Sequence, residues 1–421
     1  MRYHAEHAWV DGRIERDVLI EVAGGRFSRV QPGAPSAGTR LRGVVLPGLA
    51  NTHSHAFHRA LRGRTQAARG SFWTWRELMY DVAGRLDPDT YFGLARAVYG
   101  EMAMAGVTCV GEFHYLHHNP DGTPYDDPNA MGYALLEAAR EAGIRITLLD
   151  TLYLTSSVDG RPLEGVQRRF GDGTFDSWRE RVAAVKGTGR ARIGAAFHSI
   201  RAVPADQLRP VDGPVHIHLS EQRAENEACR AVHGCTPAEL LQRHGVLGPD
   251  TTAVHATHLS PGDVGLLAGS SVCFCPTTER DLADGIGPAR ALADAGSRLS
   301  LGSDSHAIID LLEEARALEM HERLATEQRG CFTPGELIAA ATDHAALGWA
   351  DAGRIAAGQR ADLVAIGAGS VRTAGAEPDQ ILFAAAAADI TDVITDGRHI
   401  VADGRHTGFD VAQALRKAVT G

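Results

Sequence analysis

One pattern repeats eight times along the middle of the chain: a short apolar run, a loop, and a longer stretch with helical spacing. The apolar runs are Val44 to Leu46, Val107 to Phe113, Ile144 to Leu154, Ile193 to Phe197, Val215 to Leu219, Thr252 to Ala256, Val272 to Cys275 and Leu299 to Gly302. Strands that alternate with helices form parallel sheets, and eight such units are typical of a closed barrel. The repeat predicts an α/β fold with a (β/α)8 TIM barrel over residues 44–351.

The two terminal segments, residues 1–43 and 352–421, follow a different pattern of short alternating runs separated by turn signals. Asp11-Gly12 and Gly24-Gly25 separate such runs in the first segment, and Asp403-Gly404 does so in the second. Neither segment has enough strands to enclose a core by itself. We therefore expect the two segments to pair into one small β-sandwich domain, with the barrel inserted between its halves.

Composition limits the classes of partner. Of the 421 residues, 44% are hydrophobic and 22% are charged, which is typical of a globular protein with a large core. A formal net charge of -10 argues against nucleic acid and against an anionic membrane as partners. The polar start of the chain has no apolar signal-peptide region, and no long apolar window follows it, so we expect a cytoplasmic protein. The six cysteines are too few for a disulfide scaffold in so long a chain.

In such barrels the catalytic residues lie at the C-terminal ends of the strands. Chemically useful side chains follow six of the eight runs, and they include His53, His55, Tyr115, His198, Arg201, His218, Glu221, His255 and Asp304. In a strand, side chains two residues apart point to the same face, so His53 and His55 can reach one point. A lone His-x-His pair can arise by chance among 20 histidines, but the further residues favour a metal site. Imidazoles with a carboxylate favour zinc, and iron would accept the same ligands.

Several of these motifs match a known superfamily. His53-Ser-His55, His218 with Glu221, His255 and Gly302-Ser-Asp304 resemble the amidohydrolase superfamily, in particular its mononuclear deaminase branch. Five longer stretches are similar to the formimidoylglutamate deiminase family: His55 to Arg59, Ser71 to Tyr80, Glu112 to His118, Phe197 to Val203, and His255 to His258. The resemblance covers nearly the whole chain.

The number of metals can be inferred from the lysines. Binuclear members of this superfamily bridge two metals with a carboxylated lysine at the end of the fourth strand. This chain has only Lys186 and Lys417, and neither ends the fourth run, where His198 stands instead. We therefore expect one metal ion per chain.

The resemblance implies a role for each site residue. His53, His55, His218 and Asp304 would hold one zinc ion, with iron as the other possibility. Asp304 would also take a proton from the attacking water, and Glu221 would deliver a proton to the leaving nitrogen. His255 would orient the water and stabilise the tetrahedral centre, unless it is an ordinary core imidazole. Glu221 reaches the site only if the chain turns after the strand.

The implied substrate is N-formimidoyl-L-glutamate, which would be hydrolysed to N-formyl-L-glutamate and ammonia in histidine degradation. Two carboxylates call for arginine, whose planar fork donates two parallel hydrogen bonds. Arg201 is the first candidate and Arg76 the second, although either can instead be a surface arginine. Tyr115 and His198 would add single hydrogen bonds, and His58 stands where we expect the family to carry glutamine.

An aromatic stretch, Ser71-Phe-Trp-Thr-Trp75, lies in the long connection after the first run. We expect it to act as a lid over the site, with ordinary loop packing as the alternative.

Three hypotheses about function remain. The first is the deiminase, a dicarboxylate-binding enzyme that we also expect to form a homo-oligomer, specifically a dimer. The second is another mononuclear hydrolase of the branch, acting on guanine, a thioadenosine-type nucleoside or a chlorotriazine, for which no arginine pair is needed. The third is a catalytically dead barrel used as a binding protein, which predicts that metal ligands have been lost. This chain retains all of them.

Overall fold

The computed structural model describes residues 1–65 and 72–420. In chain order, its strands are β1 (Arg2–Val10), β2 (Arg13–Ala23), β3 (Arg26–Gln31), β4 (Thr39–Pro47), β5 (Leu49–Ser54), β6 (Val107–His114), β7 (Arg145–Leu152), β8 (Ala191–Phe197), β9 (Val215–Leu219), β10 (Thr251–His255), β11 (Ser271–Phe274), β12 (Arg298–Leu301), β13 (Leu363–Ile366), β14 (Ile390–Thr395), β15 (Arg398–Ala402) and β16 (Arg405–His406). The strands form two separate sheets of eight.

The helices in the described ranges are α1 (Phe72–Arg85), α2 (Pro88–Met104), α3 (Ala130–Ala142), α4 (Phe175–Ala183), α5 (Arg223–His233), α6 (Pro237–Arg243), α7 (Pro261–Leu266), α8 (Pro276–Asp281), α9 (Ala289–Asp294), α10 (Leu311–Thr326), α11 (Pro334–Ala341) and α12 (Val411–Thr420). Short 3-10 turns span Ala56–Leu61, Gly165–Phe170, Ala205–Gln207, His344–Leu347, Pro378–Phe383 and Ala387–Asp389. None of the helices in these ranges has both the length and the apolar composition needed to cross a membrane.

Strands β5 to β12 form the predicted barrel. Each strand pairs in parallel with the next one along the chain, from β5 to β12. The two ends meet at a bridge between Ser54 and Asp304, where Asp304 N–H donates to His53 O at 3.0 Å and His55 N–H donates to Asp304 O at 3.2 Å. The (β/α)8 fold is therefore confirmed, and its closing contact lies at the residues that were expected to bind metal.

The prediction for the first barrel strand was wrong. The run Val44 to Leu46 belongs to β4, which pairs with β1 and β13 in the other sheet, whereas the barrel begins with β5. The run is continuously apolar because it is buried on both sides: Val45 lies in the core of the small sheet, while Val44 and Leu46 pack into the core of the barrel. Apolar patterning identifies a buried strand, but it does not identify the sheet that the strand joins.

The terminal segments share the second sheet, as expected. Its strand order is β16-β15-β14-β13-β4-β1-β2-β3, and every pair is antiparallel except β1 with β4. A separate apolar core, which includes Tyr3, Ile20, Phe27 and Leu363, lies on this sheet. The domain limits at residues 43/44 and 351/352 stay predictions. Strand β4 of the small sheet runs across the first of them, from Thr39 to Pro47.

A buried ion pair connects the barrel to the small sheet. Arg145, the first residue of β7, is fully buried, and its Nη1 donates to Asp362 Oδ1 at 3.0 Å while its Nη2 donates to Asp362 Oδ2. Arg145 also lies 3.2 Å from Asp396 at the end of β14. A charge removed from water at this depth is tolerated only while it remains paired.

We therefore expect Arg145→Met to destabilise the protein by about 3–5 kcal/mol, because Asp362 would be left buried without its cation. The free energy of unfolding in urea would measure the loss. The control is Arg13→Met, which breaks a pair whose arginine side chain is 77% exposed and which should cost less than about 1 kcal/mol. Equal losses in the two variants would contradict this account.

Candidate active site

Four side chains converge at the C-terminal end of the barrel, where β5, β9 and β12 end. The Nε2 atoms of His53, His55 and His218 lie 3.1 Å (His53 to His55), 3.1 Å (His53 to His218) and 3.4 Å (His55 to His218) apart. Asp304 Oδ1 lies 3.4 Å from the Nε2 atoms of His53 and His55. The corners of a tetrahedron around a zinc ion would be about 3.3 Å apart. The predicted ligand set is thus brought together with spacings that suit one metal ion.

The protonation of the imidazoles agrees with this fit. His55 Nδ1 bonds to Phe113 O at 3.0 Å and His218 Nδ1 bonds to His198 O at 2.8 Å, so each Nδ1 carries the hydrogen. Burial, and then neighbouring histidines, hold the pKa values of these rings well below the usual range. Neutral rings protonated at Nδ1 direct the lone pairs of Nε2 toward one point. The Nε2 lone pairs, together with the carboxylate oxygen of Asp304, form a site that favours a bound cation.

Glu112 holds the segment that carries the first two histidines. Its carboxylate is fully buried and accepts hydrogen bonds from Ala56 N and Ser54 Oγ, both at 2.6 Å. Burial raises the pKa of Glu112 to about 8. No role for Glu112 was predicted from the sequence, although a glutamate inside an apolar run is a signal that could have indicated one.

The backbone is strained where the strands deliver their side chains. Ser220, His255 and Asp304 have φ values of 52°, 68° and 39°, a region that residues with a Cβ seldom adopt. Such strain clusters at functional sites. The turn at Ser220 brings Glu221 to the same side of the barrel as His218, which is the turn that Glu221 requires.

His255 lies among three carboxylates. Its Nδ1 is 3.4 Å from Glu279 Oε1, and its Nε2 is 3.9 Å from Glu221 Oε1 and 3.7 Å from Asp304 Oδ2. Burial by itself lowers the pKa of His255. The three carboxylates together have the larger effect and raise this pKa well above the usual range. A protonated His255 can donate a hydrogen bond to an oxygen placed between Glu221 and Asp304. Glu279, in α8, was not predicted from the sequence.

One pocket opens over these groups, and every residue predicted to bind the substrate lines it. Its lining includes His58, Arg76, Tyr115, His198 and Arg201, together with His55, His218, Glu221, His255 and Asp304. The roles of these residues stay predictions, but the structure brings them to one place. Tyr80, Tyr153 and Phe170 also line the pocket, and the sequence analysis did not single them out for this.

The arginine that was expected to bind a carboxylate lies beside Glu221. Arg201 Nη2 is 3.8 Å from Glu221 Oε2, and the Arg201 side chain is 18% exposed.

His58 Nε2 lies 3.1 Å from Tyr115 Oη, and burial lowers the pKa of His58 to about 3. A neutral His58 therefore fixes the Tyr115 hydroxyl, a task for which a side-chain amide would also be suitable.

The expected lid lies partly within the described residues. Trp75, Arg76, Met79 and Tyr80 of α1 line the pocket. Ser71 of the predicted stretch lies outside the described residues. Closing and opening of this segment stays a prediction.

Three buried imidazoles, a carboxylate and a fourth imidazole at the mouth of a barrel are the site of a metal-assisted hydrolase. The chain belongs to the Amidohydrolase family, which it matches over residues 44–418. It is therefore a hydrolase of the deaminase type.

Three individual proteins show which members of the family this chain is similar to. Formimidoylglutamate deiminase of Pseudomonas aeruginosa is 38% identical over 431 residues, covering 96% of this chain and 95% of that protein. 8-Oxoguanine deaminase of the same organism is 29% identical and covers 97% of this chain and 92% of its own length. The crystal structure of an amidohydrolase from Brucella melitensis is 33% identical, has a TM-score of 0.89, and covers 100% of this chain and 99% of its own.

We expect metal binding and proton transfer to be affected by different substitutions. His218→Ala removes one of four ligands, so the purified variant should lose most of its metal. Glu221→Gln keeps the shape but cannot take up and release a proton, so the ammonia-releasing activity should fall roughly 100-fold or more while the metal stays near one equivalent. Elemental analysis combined with steady-state kinetics would test both expectations. Loss of metal in the Glu221 variant with retention in the His218 variant would require the two roles to be exchanged.

Proposed function

We propose that this protein hydrolyses N-formimidoyl-L-glutamate to N-formyl-L-glutamate and ammonia with one bound zinc ion. The observation that carries the proposal is the presence of two arginines, Arg76 and Arg201, in the pocket that holds the metal-ligand cluster. A neutral purine or triazine ring has no use for two guanidinium groups, whereas a dicarboxylate needs them. The similarity to formimidoylglutamate deiminase of Pseudomonas aeruginosa supports the same substrate.

His53, His55, His218 and Asp304 would hold the zinc. Their donor set of three neutral imidazoles and one carboxylate suits this ion, and iron is the alternative. When bound, zinc would lower the pKa of a water molecule to ~7 and so supply a nucleophile at neutral pH.

The residues around the reacting carbon would move the protons. Asp304 Oδ2 faces His255 and would take a proton from the attacking water, whose oxygen adds to the amidine carbon. The charged His255 would donate a hydrogen bond to that oxygen and so stabilise the tetrahedral centre. Glu221 would deliver a proton to the terminal nitrogen as the water oxygen adds, and the hydroxyl of the tetrahedral centre would then lose its proton, by way of Asp304, to the same nitrogen. The carbon–nitrogen bond would break, and ammonia would leave as the formyl carbonyl forms.

The two ends of the substrate would be held by different groups. Arg201, Tyr115 and His198 line the pocket, and so does Arg76 of α1. Each guanidinium can form two parallel hydrogen bonds with a carboxylate, which fixes both its position and its orientation. Binding of both carboxylates would place the amidine carbon beside Asp304 and Glu221.

Three further parts of the proposal are a role in histidine degradation, a cytoplasmic location and a homodimer. The role in histidine degradation and the homodimer are supported by the sequence resemblance, and the cytoplasmic location by the hydropathy of the chain. The runner-up function is deamination of a purine, for which the similarity to 8-oxoguanine deaminase is the specific support.

A direct assay separates the candidates. The zinc-loaded protein should release ammonia from N-formimidoyl-L-glutamate with kcat/KM at least about 10⁴ M⁻¹s⁻¹, which is the lower end for natural substrates. Guanine, 8-oxoguanine and adenosine should be turned over far more slowly, because they leave both arginines without an anionic partner. Faster turnover of a purine would reject the deiminase proposal.

Arg201→Met should lower kcat/KM for N-formimidoyl-L-glutamate by roughly 30- to several-thousand-fold, since a charge-assisted pair in a dry site contributes about 2–5 kcal/mol. A formimidoyl compound without carboxylates should be a poor substrate for the parent and hardly worse for the variant. The matched control is Arg209→Met, because the Arg209 side chain is 45% exposed and pairs only with Asp176 among the residues for which ion pairs are described. Equal losses with the charged and uncharged compounds would mean that Arg201 supports the fold.

A further inference from the structure

Gln167 is a buried amide whose two ends have distinct partners. It lies in the turn Gly165–Phe170 and is 7% exposed. Its Oε1 accepts a hydrogen bond from Glu164 N at 3.3 Å. The Nε2 end therefore acts as the donor, and it reaches Tyr80 Oη at 3.0 Å and Tyr153 Oη at 3.3 Å. One amide group thus holds two phenols that come from α1 and from the end of β7.

This arrangement determines what the phenols can do. A phenol that accepts a hydrogen bond still has its own O–H to donate. Both hydroxyl oxygens accept from Gln167, so even if one phenol donates to the other, at least one hydroxyl hydrogen remains to be donated. Tyr80 and Tyr153 both line the substrate pocket. The pocket is therefore where that hydrogen finds its acceptor.

The acceptor should be an anion. Arg76 and Arg201 lie close enough to Tyr153 to act on its charge, and both lower the pKa of its hydroxyl, against the larger opposing effect of burial. Guanidinium and phenol groups that line one pocket match the needs of a carboxylate, which accepts several hydrogen bonds at once.

We propose that Gln167 is a positioning residue for substrate binding: it holds the hydroxyls of Tyr80 and Tyr153 as donors to one carboxylate of the substrate. The inference deepens the proposed dicarboxylate specificity and rests on it. It assigns specificity to three residues that do not touch the metal ligands and that come from two separate connections of the barrel. Gln167 also joins α1 to the connection after β7 through these two hydrogen bonds.

Gln167→Glu is the sharpest test, because it keeps the shape and reverses the polarity. The new carboxylate accepts rather than donates, so both phenol hydrogens turn away from the pocket toward position 167. KM for N-formimidoyl-L-glutamate should rise roughly 10- to 100-fold, which is the value of one or two hydrogen bonds to a charged group, while kcat stays within about threefold. The control is Gln380→Glu, which adds the same charge at an exposed glutamine and should change neither constant.

A second variant separates positioning from folding. Gln167→Met should raise KM less than Gln167→Glu does, and in a Tyr80→Phe/Tyr153→Phe background it should add less than about a twofold change, because the hydroxyls through which it acts are gone. A loss in that background equal to the loss in the parent, or a fall in kcat without a change in KM, would overturn the proposal.

Direct binding keeps this test independent of the proposed reaction. Glutarate, a plain dicarboxylate, should bind the zinc-loaded parent in calorimetry, and Gln167→Glu should weaken that binding by a factor similar to its effect on KM. If the parent binds glutarate but releases no ammonia from N-formimidoyl-L-glutamate, the proposed reaction fails while the role of Gln167 stands. If glutarate binds the parent and Gln167→Glu equally well, or does not bind the parent, the role of Gln167 is rejected.

Discussion

The backbone contact between the first and last barrel strands is the constraint on which the site depends. Asp304 exchanges main-chain hydrogen bonds of 3.0 Å and 3.2 Å with His53 of β5 and with His55, which follows that strand, and these three residues supply three of the four ligand atoms. Closing the barrel and assembling the ligand cluster are therefore one event. The spacing of the ligand atoms is set by the whole sheet and not by a flexible loop, which is what a preorganised site requires.

Burial then decides the charge of each group. It holds the pKa values of the ligand imidazoles well below the usual range, so these rings are neutral and their Nε2 lone pairs are available to a metal ion. His255 behaves differently because three carboxylates face it. The site thus combines ligand imidazoles of lowered pKa with one imidazole, His255, whose pKa is raised. The strained residues at the strand ends are held there by the surrounding fold.

Much of the fold and the ligand set could be predicted, because both produce patterns within short stretches of the sequence. A buried parallel strand is an apolar run, and the residue types just after it are read directly from the chain. The first strand was misassigned because β4 and β5 are adjacent buried runs, and Gly48 between them allows a close approach: a Cβ there would lie 2.4 Å from Thr108 Oγ1. No pattern within such a run indicates which of the two sheets it will join.

The sequence by itself determined the barrel, the union of the terminal segments, and the three histidines and one aspartate that converge, since each follows from a short-range pattern. Only the tertiary structure decided which buried polar residues support them. Glu279 and Gln167 look like ordinary surface residues in the sequence, because a side chain's partner can lie tens of residues away, and the apolar run around Glu112 does not reveal its partners. Their burial and hydrogen-bond partners exist only once the barrel has closed.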